Sequence, residues 1–302
     1  MTITKPAAAA VSIASNSLLI ALKLAAAAIT GSIAILSEAL HSMIDLIASV
    51  IAFVSVRAAD EPADVEHPYG HEKAEGLAAS IEGMLILVGA GIIVFESARR
   101  LAGDPEVHDL GFGIAVIAFS AVANFAVAGF LRRQSRVHDS PALAGDAAHL
   151  GTDALTSVGV LAGLALVETT GVVEIDSVVA IVVAFVIVAA GVRIMRRSAR
   201  ILMDAAPPPE ELDRIEAAIA RARPPEMVGY HKLRARSAPR HRYIDMHVQF
   251  RTGTTLERAH ELAHTLRDEI EAELGDAEVL IHVEPETSRH DPSQSPERYR
   301  AG

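Results

Sequence analysis

Two pairs of ionisable residues share one spacing. In SEALHSMIDLIAS, His41 and Asp45 stand four apart, and in DAAHLGTDALTS, His149 and Asp153 do the same. On a helix that spacing puts both members of a pair on one face. Two such faces turned toward each other would offer two imidazoles and two carboxylates, a nitrogen–oxygen shell suited to tetrahedral Zn²⁺. The two carboxylates would cancel the dication's charge where little water is present. A soft ion such as Cu(I) wants thiolate or thioether ligands, and the chain has no cysteine. That absence also removes disulfide frameworks, thiolate zinc sites and CxxC redox motifs. The competing reading has each His bonded to a neighbouring helix and each Asp near a helix end. One spacing repeated in separate segments favours the metal shell.

The segments that must position these pairs are apolar. The chain has 302 residues, of which 51% are hydrophobic, and its mean hydropathy is +0.31. A membrane span needs about 20 mostly apolar residues. Six stretches qualify, at 9–31, 34–57, 76–98, 110–131, 146–167 and 175–195. None has the form of a cleaved signal peptide. The last, IDSVVAIVVAFVIVAAGVRIM, is apolar all round, which suits lipid and not a half-exposed surface. Both His/Asp pairs therefore fall inside predicted spans, where ionisable groups are costly and mark sites or pathways. Asn16, Lys23 and Glu82 are lone polar residues in the same spans. They either line a water path or tie helices together.

With the N-terminus inside, ten basic residues fall on the inner side (Lys5, Arg57, Lys73, Arg132, Arg133, Arg136, Arg193, Arg196, Arg197, Arg200) and only Arg99 and Arg100 outside. The positive-inside rule then places both termini in the cytoplasm. Charge density rises sharply after Pro207, Pro208 and Pro209, which marks residues 1–206 as a membrane domain and the rest as soluble. The soluble part is predicted as helix 209–223, strand 226–236, strand 240–251, helix 256–274 and strand 277–284, with 287–302 polar, aperiodic and disordered. The expected fold is thus an α-helical membrane protein of six transmembrane helices plus an α+β domain of order αββαβ, spanning 207–286, with helices on one face of the sheet. The net charge of −11 argues against a nucleic-acid partner.

Two further clusters carry metal-binding residue types. Asp64, His67 and His71 surround the Pro68-Tyr69-Gly70 turn in the inner loop before the third span; the alternative is a solvated polar loop. Residues 260–264 read His-Glu-Leu-Ala-His and match the HExxH pattern of zinc proteases. A domain of this size has no room for a substrate cleft, and the Ala/Leu face of that helix must pack on the sheet. The expectation is therefore that the chain is not an enzyme.

The order of these motifs resembles the cation diffusion facilitator family of dimeric divalent-metal/proton antiporters. The resemblance covers about residues 9–286: HxxxD in spans two and five, HPYGHEKAE in the inner loop, and the αββαβ tail. It implies transport of divalent metal, most simply Zn²⁺, out of the cytoplasm in exchange for protons, by a homodimer; the Ala- and Arg-rich, cysteine-free composition fits a bacterial inner membrane. It implies a transport site at His41, Asp45, His149 and Asp153 and an inner-loop site at Asp64, His67 and His71. It also implies a cytoplasmic site at His231, His247, His260, His282 and Glu284 in a metallochaperone-like tail, and a charge pair between Lys73 and Asp204. Relatives usually carry Asp where Glu284 stands. The His-Asp/His-Asp quartet resembles zinc-selective members, whereas manganese members tend to use carboxylates alone. Rival readings are a same-family exporter of Fe²⁺, Co²⁺ or Mn²⁺, and a non-transporting dimeric membrane scaffold or metal sensor.

Overall fold

A computed structural model describes residues 3–31, 33–102, 111–172 and 174–288. They form two compact units, Met1–Leu202 and Met203–Gly302.

The first unit consists of α1 (Lys5–Thr30), α2 (Ile33–Ala59), α3 (Lys73–Ala102), α4 (Gly111–Val137), α5 (Pro141–Thr170) and α6 (Glu174–Leu202). All six are long and apolar enough to cross a membrane. Most run further than the apolar stretches because polar ends can be helical too. α5 begins at Pro141, well before its apolar run, since Ser140 accepts a hydrogen bond from the Leu143 N–H and proline fits the first helical turn. The unit has an inverted polarity. Leu18, Phe95, Val122, Phe125 and Phe185 face outward, while Asn16, Lys23, Asp45, Glu82 and Asp146 are buried. In water that arrangement would be unfavourable; in lipid it places the costly groups against one another.

Small residues bring the helices close. A Cβ added at Gly191 of α6 would lie 2.9 Å from Leu87 of α3, and one at Gly83 of α3 would lie 2.9 Å from Met195 of α6. Glycine at these crossings lets the two backbones approach, as small residues do in membrane helix pairs.

The second unit contains α7 (Pro209–Ala222), β1 (Met227–Ser237), β2 (Arg242–Phe250), α8 (Leu256–Leu274) and β3 (Ala277–Pro285). Strand order is β1-β2-β3, antiparallel for the first pair and parallel for the second. Along β2, Ile244, Met246, Val248 and Phe250 are buried, and the residues between them are half-buried. The buried set packs with Ile215 and Ile219 of α7 and with Leu262, Leu266 and Ile270 of α8. Period-two alternation thus turns one sheet face to the helices. The expected αββαβ order and the one-sided helix layer are both present. The expected disorder over 287–302 concerns residues that, apart from 287 and 288, lie outside the described ones.

Candidate metal sites

Helical spacing builds the first site. His41 and Asp45 occupy successive turns of α2, and His149 and Asp153 successive turns of α5. The structure brings all four together. His149 Nε2 lies 3.4 Å from Asp45 Oδ1 and 3.7 Å from Asp153 Oδ2, and His41 Nε2 lies 3.9 Å from Asp45 Oδ1. One donor atom from each of His41, Asp45 and Asp153 falls within 4.8 Å of the others. Asp45 and His149 are buried, and the His41 side chain is 58% exposed. Donors at these separations need only small adjustments to meet one ion at about 2.0–2.2 Å.

Two acids surround this cluster. Asp146, one turn before His149, was not among the residues predicted from sequence. It is fully buried and accepts hydrogen bonds from Ser12 at 3.1 Å and Ser49 at 3.2 Å. Its signal was the DxxH spacing with His149 inside an apolar span. Glu82 of α3 is also fully buried, with Oε2 3.6 Å from His149 Nδ1. Among the lone polar residues, Asn16 donates to Ser49 Oγ at 2.9 Å and to the Asp45 carbonyl at 3.3 Å. Lys23 donates to Ser42 Oγ at 2.8 Å. All three bonds tie α1 to α2.

The second cluster lies in the loop between α2 and α3. Asp64 Oδ1 accepts the backbone N–H groups of Glu66 and His67, at 2.9 and 2.6 Å. Gly70, at φ +79°, donates its N–H to the His67 carbonyl and closes the turn. The carboxylate is thereby held 3.4 Å from His67 Nδ1 and 3.3 Å from His71 Nε2. The His67 N–H, followed by the Glu66 N–H and the two imidazoles, outweighs slight desolvation and keeps the Asp64 carboxyl below its ordinary pKa. An exposed carboxylate with two imidazoles beside it offers three donors to a cation.

Sheet register builds the third cluster. His231 of β1, His247 of β2 and His282 of β3 are successive ladder partners and form a row across the three strands. Ring centroids are 5.1 Å apart for His231–His247 and 4.5 Å for His247–His282. Glu284 joins the row, with Oε1 2.6 Å from His247 Nδ1 and Oε2 3.4 Å from His231 Nε2. Burial raises the Glu284 pKa, but the His247 hydrogen bond and the charges of His231, His247 and His282 outweigh it, so the net direction is down. His260 does not join these residues within one chain. It projects from α8, whose Ala259, Leu262 and Leu266 face the opposite side of the sheet. Its Nε2 lies instead 3.1 Å from His264 Nε2. Glu261, the third member of the HExxH pattern, pairs with Arg258 at 3.3 Å.

Lys73 opens α3 in the first unit. Asp204 belongs to the second, where it accepts from Arg236 Nη1 at 2.9 Å.

Comparison with known proteins gives two family matches: the cation efflux transmembrane domain over residues 9–203 and the cytoplasmic domain of cation efflux proteins over residues 207–286. An uncharacterised transporter of Synechocystis sp. is 35% identical over 266 residues, covering 87% of this chain and 85% of its own. The cation-efflux pump FieF of Shewanella oneidensis is 30% identical over 274 residues, covering 91% and 92%. A solved structure of CzrB is 31% identical, covers 27% of this chain and 99% of its own, and has a TM-score of 0.26.

Proposed function

The chain belongs to the cation diffusion facilitator family of cation efflux transporters, a multi-pass membrane protein, and from that premise we propose that it exports Zn²⁺ from the cytoplasm in exchange for protons. The observation that carries this reading is the meeting of Asp45, His149 and Asp153 across α2 and α5, with His41 beside them. Mixed imidazole and carboxylate donors in a four-residue set suit Zn²⁺, where ions such as Mg²⁺ or Mn²⁺ favour oxygen alone. Each ligand must shed its proton to bind, so loading expels protons and protonation expels the metal. An inward proton gradient then drives the cycle outward.

The rest of the reading follows the same chemistry. Residues 1–206 form the transport domain, with both termini in the cytoplasm of a bacterial cell. Residues 207–286 form a homodimerising sensor. His231, His247, His282 and Glu284 fit a zinc-type donor set, all nitrogen and oxygen, and His260 arrives from the second copy. Asp64, His67 and His71 take a further ion at the cytoplasmic loop.

Flux of Zn²⁺, Fe²⁺, Co²⁺ and Mn²⁺ into proteoliposomes under an imposed proton gradient tests the proposal. Zn²⁺ uptake coupled to proton movement is expected. Transport of another ion in preference, or flux indifferent to the gradient, would overturn the zinc or the antiport part respectively. Metal binding without flux of any ion would favour a sensor.

A further inference from the structure

Glu82 stands out among the buried acids. It is 0% exposed, and neither of its carboxylate oxygens has a hydrogen-bond partner among the described residues. Other buried acids in this unit are better served: Asp146 accepts from two serines, and Glu75 accepts from Lys5. Leaving a buried acceptor unsatisfied is costly, more so if it is charged. His149 Nδ1 is buried and equally without a partner. These two orphans face each other at 3.6 Å, too far for a hydrogen bond and about 0.6 Å from a good one. The other ring nitrogen, Nε2, faces Asp45 and Asp153.

We propose that Glu82 is a positioning residue of the intramembrane site: it receives the Nδ1–H of His149 when Nε2 binds the ion. The inference rests on the transport-site reading. A neutral imidazole that ligates metal through one nitrogen carries its proton on the other, and the group accepting that proton's hydrogen bond fixes the tautomer and ring orientation. Metal on Nε2 thus makes Nδ1 an obligatory donor, aimed at Glu82. The two atoms stand about 0.6 Å beyond a good hydrogen bond, so a small approach of α3 to α5 makes it. The bond also links α3 to an ion otherwise held by α2 and α5. Gly145 of α5 permits this approach, because a Cβ there would lie 3.1 Å from both Cβ and Cγ of Glu82.

The test uses the full-length protein, with Zn²⁺ titrated calorimetrically at the Asp153-dependent site and Zn²⁺ flux followed in proteoliposomes. Glu82→Leu should raise both Kd and KM about 10- to 100-fold. Its melting temperature in detergent should hold or rise, because a buried orphan acid is gone. Glu82→Gln, whose amide oxygen still accepts, should recover most of the loss. Unchanged Kd and KM in Glu82→Leu would overturn the inference, as would equal impairment of both variants with lowered melting temperature. Should Glu82→Leu fail to fold, ¹⁵N histidine spectra of Zn²⁺-loaded wild type decide. His149, identified by its loss in His149→Gln, must carry its proton on Nδ1, and a proton on Nε2 overturns the role. Wild-type protein that binds Zn²⁺ through Asp153 without moving it would reject export and leave the Glu82 measurement standing.

Discussion

Lys5 Nζ lies 2.9 Å from Glu75 Oε1, with side chains only 7% and 2% exposed. The same ammonium lies 2.6 Å from Asp60 Oδ1, and Ser140 donates its hydroxyl proton to Glu75 Oε2. One cation thus gathers the start of α1, the chain just past α2, the start of α3 and the cap of α5. Removing one member of a buried pair leaves the other charge uncompensated, which is costlier than removing both. Lys5→Met should therefore destabilise the membrane unit by about 3–5 kcal/mol. The double variant Lys5→Met with Glu75→Leu should lose less than Lys5→Met alone. Equilibrium unfolding in mixed micelles measures both, and additive losses would deny the coupling.

Asp153→Ala removes a carboxylate 3.7 Å from His149 Nε2. The remaining donors cannot neutralise a dication in a low-dielectric setting, so Zn²⁺ flux in proteoliposomes should fall at least about 100-fold while the protein stays folded, in keeping with the cost of placing unpaired charge in a membrane. Asp64→Ala should leave that flux measurable, since its ligand cluster is a separate loop. Normal transport by folded Asp153→Ala would dissociate the α2/α5 cluster from function.

The six spans, the αββαβ order and the one-face placement of His41 with Asp45, and of His149 with Asp153, could be read from sequence because each rests on a local period: about 20 apolar residues for a span, two for a strand, four for a helix face. What local periods do not encode is which face meets which. Glu82 looked like one lone polar residue among several, and only the crossing of α3 with α5 aims it at His149. Asp146 lay one turn from a predicted ligand, and its partners Ser12 and Ser49 come from two other helices. His260 shares a residue type with His247 and His282, yet it projects from a helix while they stand on the strands. The sheet's register, which aligns His231, His247 and His282, was equally hidden, because it depends on how three separate strands pair.

Metal binding at the tail row should be steeply pH-dependent. His231, His247 and His282 must be neutral to ligate, so protons compete with Zn²⁺ and its affinity should fall as pH drops. Glu284 behaves differently. Its folded pKa lies below the ordinary 4.5, so its native contacts stabilise the fold above that value, and this contribution disappears as pH falls through the lower folded value. Zn²⁺ titrations of the full-length protein at pH 7.5 and 5.5 should separate the two groups: affinity falls by more than about tenfold, as proton competition for several ligand atoms requires, while the fold persists. His247→Ala should weaken this binding and leave residual transport. Equal affinity at both pH values would remove the histidines from the ligand set.

Gly145 offers the most direct control on how α3 reaches the site. A methyl group there would meet Glu82 Cβ and Cγ at 3.1 Å and Ala79 Cα at 3.3 Å. The last of these is backbone and cannot swing aside, so α3 and α5 must separate by a few tenths of an ångström. Overpacking of this kind costs about 1–3 kcal/mol. Separation also carries Glu82 away from His149, beyond the present 3.6 Å. Gly145→Ala should therefore lower stability and raise the KM for Zn²⁺ together. Gly89, also on α3, has nothing within 4 Å of an added Cβ. Gly89→Ala should gain about 0.5–1 kcal/mol from helix propensity and leave KM unchanged. Thermal unfolding and flux measured on both variants check this, and a Gly145→Ala protein with wild-type KM would show that the α3–α5 spacing does not govern the site.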